Sequence, residues 1–183
     1  MNAPLGRVGR MGVKWGQPRG RVGVTGIVMI NNDVLRSIRY MLDLSDSMIA
    51  NTCALADPAF VVDPADVPGW LRKEDEAGFV ACDDRTLARF LDGLIVHYRG
   101  RDESQPLRPV EKRITNNLVL KKLRVAFELK DVDMHAIFES AGFPVSKPEL
   151  SALFRQPDHK NYRACGDQML RNFLKGLTLR VRG

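Results

Sequence analysis

The chain has 183 residues, 44% of them hydrophobic and 27% charged, with 15 Gly, 10 Pro and only three, widely spaced cysteines. Apolar residues are too plentiful for a chain disordered throughout, and an odd set of three thiols excludes a disulfide scaffold. No run of about 18 apolar residues exists, so no membrane span is expected.

The formal charge of +6 is unevenly placed. Residues 1–28 carry Arg7, Arg10, Lys14, Arg19 and Arg21 with no acid, together with seven of the 15 glycines. Backbone entropy opposes ordering of such a stretch, which predicts a disordered Gly/Arg-rich extension. It lacks the apolar segment of a secretory signal. The simplest expectation is that Met29 is the native start; an RNA-binding tail is the alternative, with Trp15 its one aromatic for stacking. Residues 29–104 hold 8 basic and 14 acidic residues, and residues 105–183 hold 15 and 8. An acidic lobe and a basic lobe follow, each suited to a partner of opposite sign.

The chain is written twice. Residues 31–46 align with 116–131 at an offset of 85, with 7 of 16 positions identical. Residues 79–94 align with 162–177 at an offset of 83, with 8 of 16 identical. The fold expected is all-α: two tandem pseudo-symmetric four-helix repeats packed as one domain. Repeat 1 spans 29–98, a connector 99–113, and repeat 2 114–183.

In each repeat a first helix is expected after an Asn-Asn cap, burying Val34, Ile38, Met41 and Leu42 or Val119, Leu123, Ala126 and Phe127. A second helix, Ser47–Leu55 or Val132–Ser140, is expected after the caps Asp46 and Asp131. The third starts at Asp63-Pro64-Ala65-Asp66, with Pro64 at the first helical position, or at the capping box Ser146-Lys147-Pro148-Glu149. The fourth is the most apolar, with Leu87, Phe90, Leu91, Leu94 and Ile95, or Leu170, Phe173, Leu174, Leu177 and Thr178, on one face. Gly93 and Gly176 interrupt it at the same place. Glycine inside a helix costs about 1 kcal/mol, so close approach of another helix is the expected compensation.

Cys82 and Cys165 occupy matching positions before the fourth helices, without the further ligands that structural zinc needs; buried structural thiols are expected. Among the histidines, His97 and His135 read as structural or surface groups. His159 lies in a loop, Arg155 to Arg163, rich in cations and polar groups. The matching loop, Arg72 to Phe79, is acidic. No nucleophile elbow, phosphate-binding loop or zinc motif is present, so no catalytic set, metal or cofactor is expected. The second and third helices have the outline of a helix-turn-helix. If the chain binds nucleic acid or an acidic protein surface, the second repeat should dominate. The candidate residues are Lys121, Lys122, Arg124, Lys147, Arg155, His159, Lys160, Tyr162, Arg163, Arg171 and Lys175. Two alternatives stand beside this reading. One is a homo-oligomeric interaction module joined through lobes of opposite charge; the other is an enzyme with a site around His159.

Three stretches carry a family resemblance: Asn31 to Tyr40, Glu149 to Arg155, and His159 through Gln168 into Leu170 to Leu177. They resemble the bacterial YehS-like family, a duplicated domain of unknown function, over residues 29–180. The resemblance implies a cytoplasmic bacterial protein beginning near Met29. It brings no activity, cofactor or catalytic residue with it, and residues 1–28 lie outside its pattern.

Overall fold

Two apolar stripes per repeat, on the first and fourth helices, must be buried, and the chain buries them by exchange between repeats. The computed structural model describes residues 29–104, 106 and 109–183. Among these it contains α1 (Asn31–Leu42), α2 (Asp46–Ala56), α3 (Val67–Leu71), α4 (Asp84–Arg99), α5 (Asn116–Ala126), α6 (Asp131–Ser140), α7 (Lys147–Leu153) and α8 (Asp167–Arg182), and no strand. The expected extension of residues 1–28 lies outside the described residues. Helix α1 packs chiefly on α8 and α5 chiefly on α4, so the first helix of each repeat lies against the fourth helix of the other. Helices α2 and α6 pack on the fourth helix of their own repeat. One continuous core results, running from Val34, Leu35 and Ile38 through Leu87, Phe90 and Leu91 to Phe138, Leu170 and Phe173.

The interrupting glycines are explained by this packing. A methyl group on Gly93 would collide with the carbonyl oxygen of Thr52 in α2, and one on Gly176 with that of Ile137 in α6. Bare backbone at these two positions lets the helices touch.

The Asn-Asn pairs correct the expected capping. Asn31 and Asn116 are already helical; the residues before the helices are Ile30 and Thr115. The Ile30 N–H donates to the Asp33 carboxylate at 3.0 Å, and Thr115 Oγ1 accepts from the Leu118 N–H at 3.2 Å. The asparagine amides instead reach across the repeat. Asn32 Nδ2 donates to the carbonyls of Trp70 (2.9 Å) and Val80 (2.8 Å), while its Oδ1 accepts from the Cys82 N–H at 3.0 Å. Asn117 repeats this with Leu153 (2.8 Å), Arg163 (2.9 Å) and Cys165 (2.8 Å). Asn31 Nδ2 donates to Asp84 Oδ1 and Asn116 Nδ2 to Asp167 Oδ1, both at 2.8 Å. The other oxygen of each aspartate serves the opposite repeat: Asp84 Oδ2 accepts from the Ile114 N–H at 3.2 Å, Asp167 Oδ2 from the Met29 N–H at 3.0 Å.

Three boundaries also move. Ser45 and Lys130 are the caps of α2 and α6, so Asp46 and Asp131 fall inside the first turn, where they pair with Arg39 (3.5 Å) and Arg124 (2.7 Å). Pro64 lies in a turn, with Asp63 Oδ1 accepting from the Ala65 N–H at 2.9 Å, and α3 begins only at Val67.

Because each amide satisfies three backbone groups, Asn32→Asp and Asn117→Asp should each lower unfolding free energy by about 2–4 kcal/mol, since a carboxylate would face two carbonyls. Urea denaturation of the two variants measures this directly, with Asn161→Asp, whose side chain is exposed, as the neutral control.

Candidate functional site

The divergent loops share one pattern of turns. In repeat 1 the Glu76 N–H donates to Lys73 O (3.0 Å), the Phe79 N–H to Glu76 O (3.1 Å) and the Val80 N–H to Gly69 O (3.0 Å). In repeat 2 the matching donors and acceptors are His159 to Gln156 (3.0 Å), Tyr162 to His159 (2.8 Å) and Arg163 to Ala152 (3.1 Å). Two consecutive turns followed by a tie to the third helix therefore recur, although the backbones part at Gly78 (φ 79°), whose match Asn161 is not left-handed. Where repeat 1 shows Glu74, Asp75, Glu76 and Ala77, repeat 2 shows Pro157, Asp158, His159 and Lys160, all exposed.

Helix α7 anchors this loop. Its capping box forms as the sequence predicts: Ser146 Oγ accepts from the Glu149 N–H at 3.4 Å and the Ser146 N–H donates to Glu149 Oε2 at 3.0 Å. Arg163 pairs with the other oxygen of Glu149 at 2.5 Å, tying the loop's end back to the start of α7. The Ser146 N–H, the Ser146 hydroxyl and then Arg163 hold the Glu149 carboxyl below its ordinary range. On the opposite side, the Arg124 guanidinium lies 4.6 Å from the Phe154 ring centroid and pairs with Asp131. Lys121, Arg124 and Phe154 line an open hollow of about 390 Å³ between α5 and the end of α7.

The structure divides the candidate residues. Lys121, Arg124, Lys147, Arg155, His159, Lys160, Tyr162 and Arg163 lie on α5, α7 and the loop that leaves it. Of these, Lys121, Lys147, Arg155 and Lys160 have no ion-pair partner among the described residues. Arg171 and Lys175 belong elsewhere, facing α1 across α8. Lys122 needs correction as a surface residue: it is 7% exposed and forms an ion pair with Asp92 of α4 and, at 3.0 Å, with Glu111 of the connector. Its charge is neutralised where repeats meet and is withdrawn from any partner.

The helix-turn-helix outline does not carry over into packing. Helix α6 buries Met134, Ile137 and Phe138, and packs on α8. Helix α7 has only seven residues and is fixed by its Ala152 and Leu153 carbonyls. Phe154 is the residue the sequence reading missed; an aromatic beside the cationic Arg155 was the available signal. His159 is exposed, with Nδ1 accepting from the Asn161 N–H at 3.0 Å, and it lines none of the hollows described here. His97 is exposed and His135 half-buried. Among the described residues no helix is long and apolar enough to cross a membrane, and no group of His, Cys, Asp or Glu is arranged to hold a metal ion.

Two copies of one interlocked helical unit, with a basic loop in the second, define a duplicated all-α protein. The chain belongs to the DUF1456 family of proteins of unknown function, whose pattern matches residues 31–100 and 116–183. It is similar to the Uncharacterized protein YehS of Escherichia coli (strain K12), at 51% identity over 152 residues, which cover 83% of this chain and 96% of that protein. No solved structure matches it.

All three cysteines are buried and free, as expected for Cys82 and Cys165. Burial is the main force pushing each thiol from 9.0 to about 12; the carboxylates of Asp83 and Asp167 add to it at Cys82 and Cys165. An unfolded thiol ionises from its ordinary value, so above pH 9 the unfolded state sheds these protons first. The contribution of the thiols to stability is therefore constant below pH 9 and falls from there towards pH 12. Urea melts of the native chain against a triple Cys→Ala variant should show a difference that narrows between pH 8 and 10.5, and native protein should resist thiol reagents at pH 8.

Proposed function

We propose that this chain is a non-enzymatic cytoplasmic binding protein whose second repeat engages nucleic acid through α7, the loop 155–163 and the adjoining face of α5. The observation that supports this most is one pattern of turn hydrogen bonds carrying opposite chemistry. The two loops make the same turns and the same tie to the third helix, yet one is acidic and the other basic. Lys121, Lys147, Arg155 and Lys160 supply charge for phosphates, and Phe154 and half-buried Tyr162 supply ring faces beside them. The first repeat, with its acidic loop, would repel the same partner and so sets the direction of binding.

Anisotropy of a labelled single-stranded and a labelled duplex oligonucleotide tests this, with a chain beginning at Met29 so that the cations of residues 1–28 do not contribute. Binding is expected at 50 mM salt and should weaken about 20- to 150-fold by 200 mM, as release of about three or four counterions requires. Lys121→Glu/Arg155→Glu/Lys160→Glu should remove it, whereas Arg72→Glu/Lys73→Glu should not. Absence of binding at 50 mM salt overturns the reading.

The matched loops favour one further arrangement. Loop 72–79 of one copy is complementary in sign to loop 155–163 of another, which supports self-association through unlike lobes. Sedimentation should then show a mass that falls between 50 mM and 500 mM salt; a monomer at both concentrations excludes it.

A further inference from the structure

The hollow between α5 and the end of α7 is built from positions whose counterparts in repeat 1 are chemically different. Lys121 is matched by Arg36, which is engaged: it pairs with Asp33 and donates to the Arg72 carbonyl at 2.7 Å. The residue matching Asp33 is Leu118, so the acid that holds the cation in repeat 1 is replaced in repeat 2, and Lys121 is exposed. Arg39 and Arg124 correspond, and each pairs with an aspartate in the first turn of the following helix. The ring of Phe154 against Arg124, however, has Leu71 in its place in repeat 1.

Arg124 is fixed from three sides. Its Nε donates to the Leu129 carbonyl at 3.2 Å, its guanidinium pairs with Asp131 at 2.7 Å, and it lies 4.6 Å from the Phe154 ring centroid. A guanidinium held over a ring in this way is a preformed stacking surface, with little side-chain freedom left to lose when a ligand meets it. Exposed Val125 and buried Leu129 make the neighbouring walls apolar. Glu128 adds an acceptor: it pairs with Arg99, yet its side chain is still 66% exposed. Lys121 completes the lining with a cation.

Flat apolar faces, an edge that donates hydrogen bonds and an adjoining phosphate are combined in an unpaired nucleotide. In a duplex each base is stacked on both faces and paired along its edge, so none can enter a hollow of about 390 Å³. Single strands are recognised by bases stacked on rings or guanidinium planes and hydrogen-bonded at their edges. A carboxylate also chooses among bases. It accepts from the amino group of cytosine, whereas the one ring N–H of thymine is flanked by two carbonyl oxygens that repel it.

We propose that this hollow seats one unpaired base of a single-stranded nucleic acid against the Arg124–Phe154 pair, with Glu128 accepting from an amino group of that base. The inference rests on the nucleic-acid reading above and narrows it to single strands with an amino-bearing base at this position.

Anisotropy of the full chain at 50 mM salt tests it, with labelled single strands of deoxycytidine or thymidine, each about 12 nucleotides long, and with the duplex of the deoxycytidine strand. Phosphate contacts elsewhere on the chain are common to every variant, so ratios between variants report the hollow. The deoxycytidine strand should bind about fivefold more tightly than the thymidine strand. Phe154→Leu, which installs the residue of repeat 1, should weaken the deoxycytidine strand about tenfold and leave the duplex unchanged, while Phe154→Tyr should retain the affinity. Glu128→Gln, at an exposed side chain, should bring the two single strands within about twofold of each other, and it decides the matter alone should Phe154→Leu lose the native melting temperature. The inference is overturned, with the nucleic-acid reading intact, by equal affinity of the native chain for the two single strands. Folded Phe154→Leu that weakens strand and duplex alike, or neither, overturns it too, as does an unchanged preference in Glu128→Gln. Absence of binding to every probe overturns both readings.

Discussion

A pair of side-chain amides holds each repeat together. Asn32 and Asn117 each place two N–H groups and one oxygen against three backbone atoms, Asn32 buried in the core and Asn117 half-buried at its edge. Those atoms belong to the end of the third helix, the loop that leaves it and the residue before the fourth helix. Everything between α3 and α4, or α7 and α8, is positioned from this point. The loops can therefore vary in side chain while keeping their turns, because an amide on another helix adds to the backbone bonds that each loop makes for itself.

The neighbouring asparagines extend the restraint across the molecule. Asn31 orients Asp84, and Asn116 orients Asp167; each aspartate then receives a backbone N–H from just before the first helix of the opposite repeat. Exchange of first helices between repeats makes this geometry possible, and Gly93 and Gly176 allow the second helices to close on the fourth. The same plan is seen at the helix ends. Asp43 and Glu128, both at φ 53°, terminate the first helices, while Arg182 covers Tyr40 and Arg99 pairs with Glu128. Left-handed backbone at a residue other than glycine costs about 1 kcal/mol, and its presence at both equivalent sites marks it as part of the repeat rather than a local accident.

Most of this frame is legible in the chain because it is written as local patterns. The duplication, the apolar stripes of α4 and α8, the capping box at Ser146 and the paired glycines depend on residues within a turn or two of one another. The asparagines are different. A helix-start rule assigns them a neighbouring N–H, but their partners lie 36 to 53 residues away, and nothing local distinguishes a capping amide from a bridging one. Pro64 misleads for a related reason: Asp63 closes a turn on itself before the helix begins. Among the cations, one error was avoidable. Lys122 lies between Val119 and Ala126 on the buried stripe of α5, while Lys121 lies on the face of Asn117 and Arg124, so helical periodicity alone separates them. That Lys175 and Arg171 belong to a hollow with α1 required the exchange of helices to be known.

The crossing of the first helices makes each half chemically incomplete. Severed from its twin, residues 29–98 would carry the naked apolar stripe of α1 and an Asp84 oxygen awaiting a foreign amide, and a second such fragment would answer both. Covalent tethering replaces that encounter between separate molecules by an intramolecular one, independent of dilution. It also frees the two members from being identical. A homodimer mutates both faces at once; here a lysine can seal one seam while its counterpart stays a serine, so the two seams are at liberty to specialise.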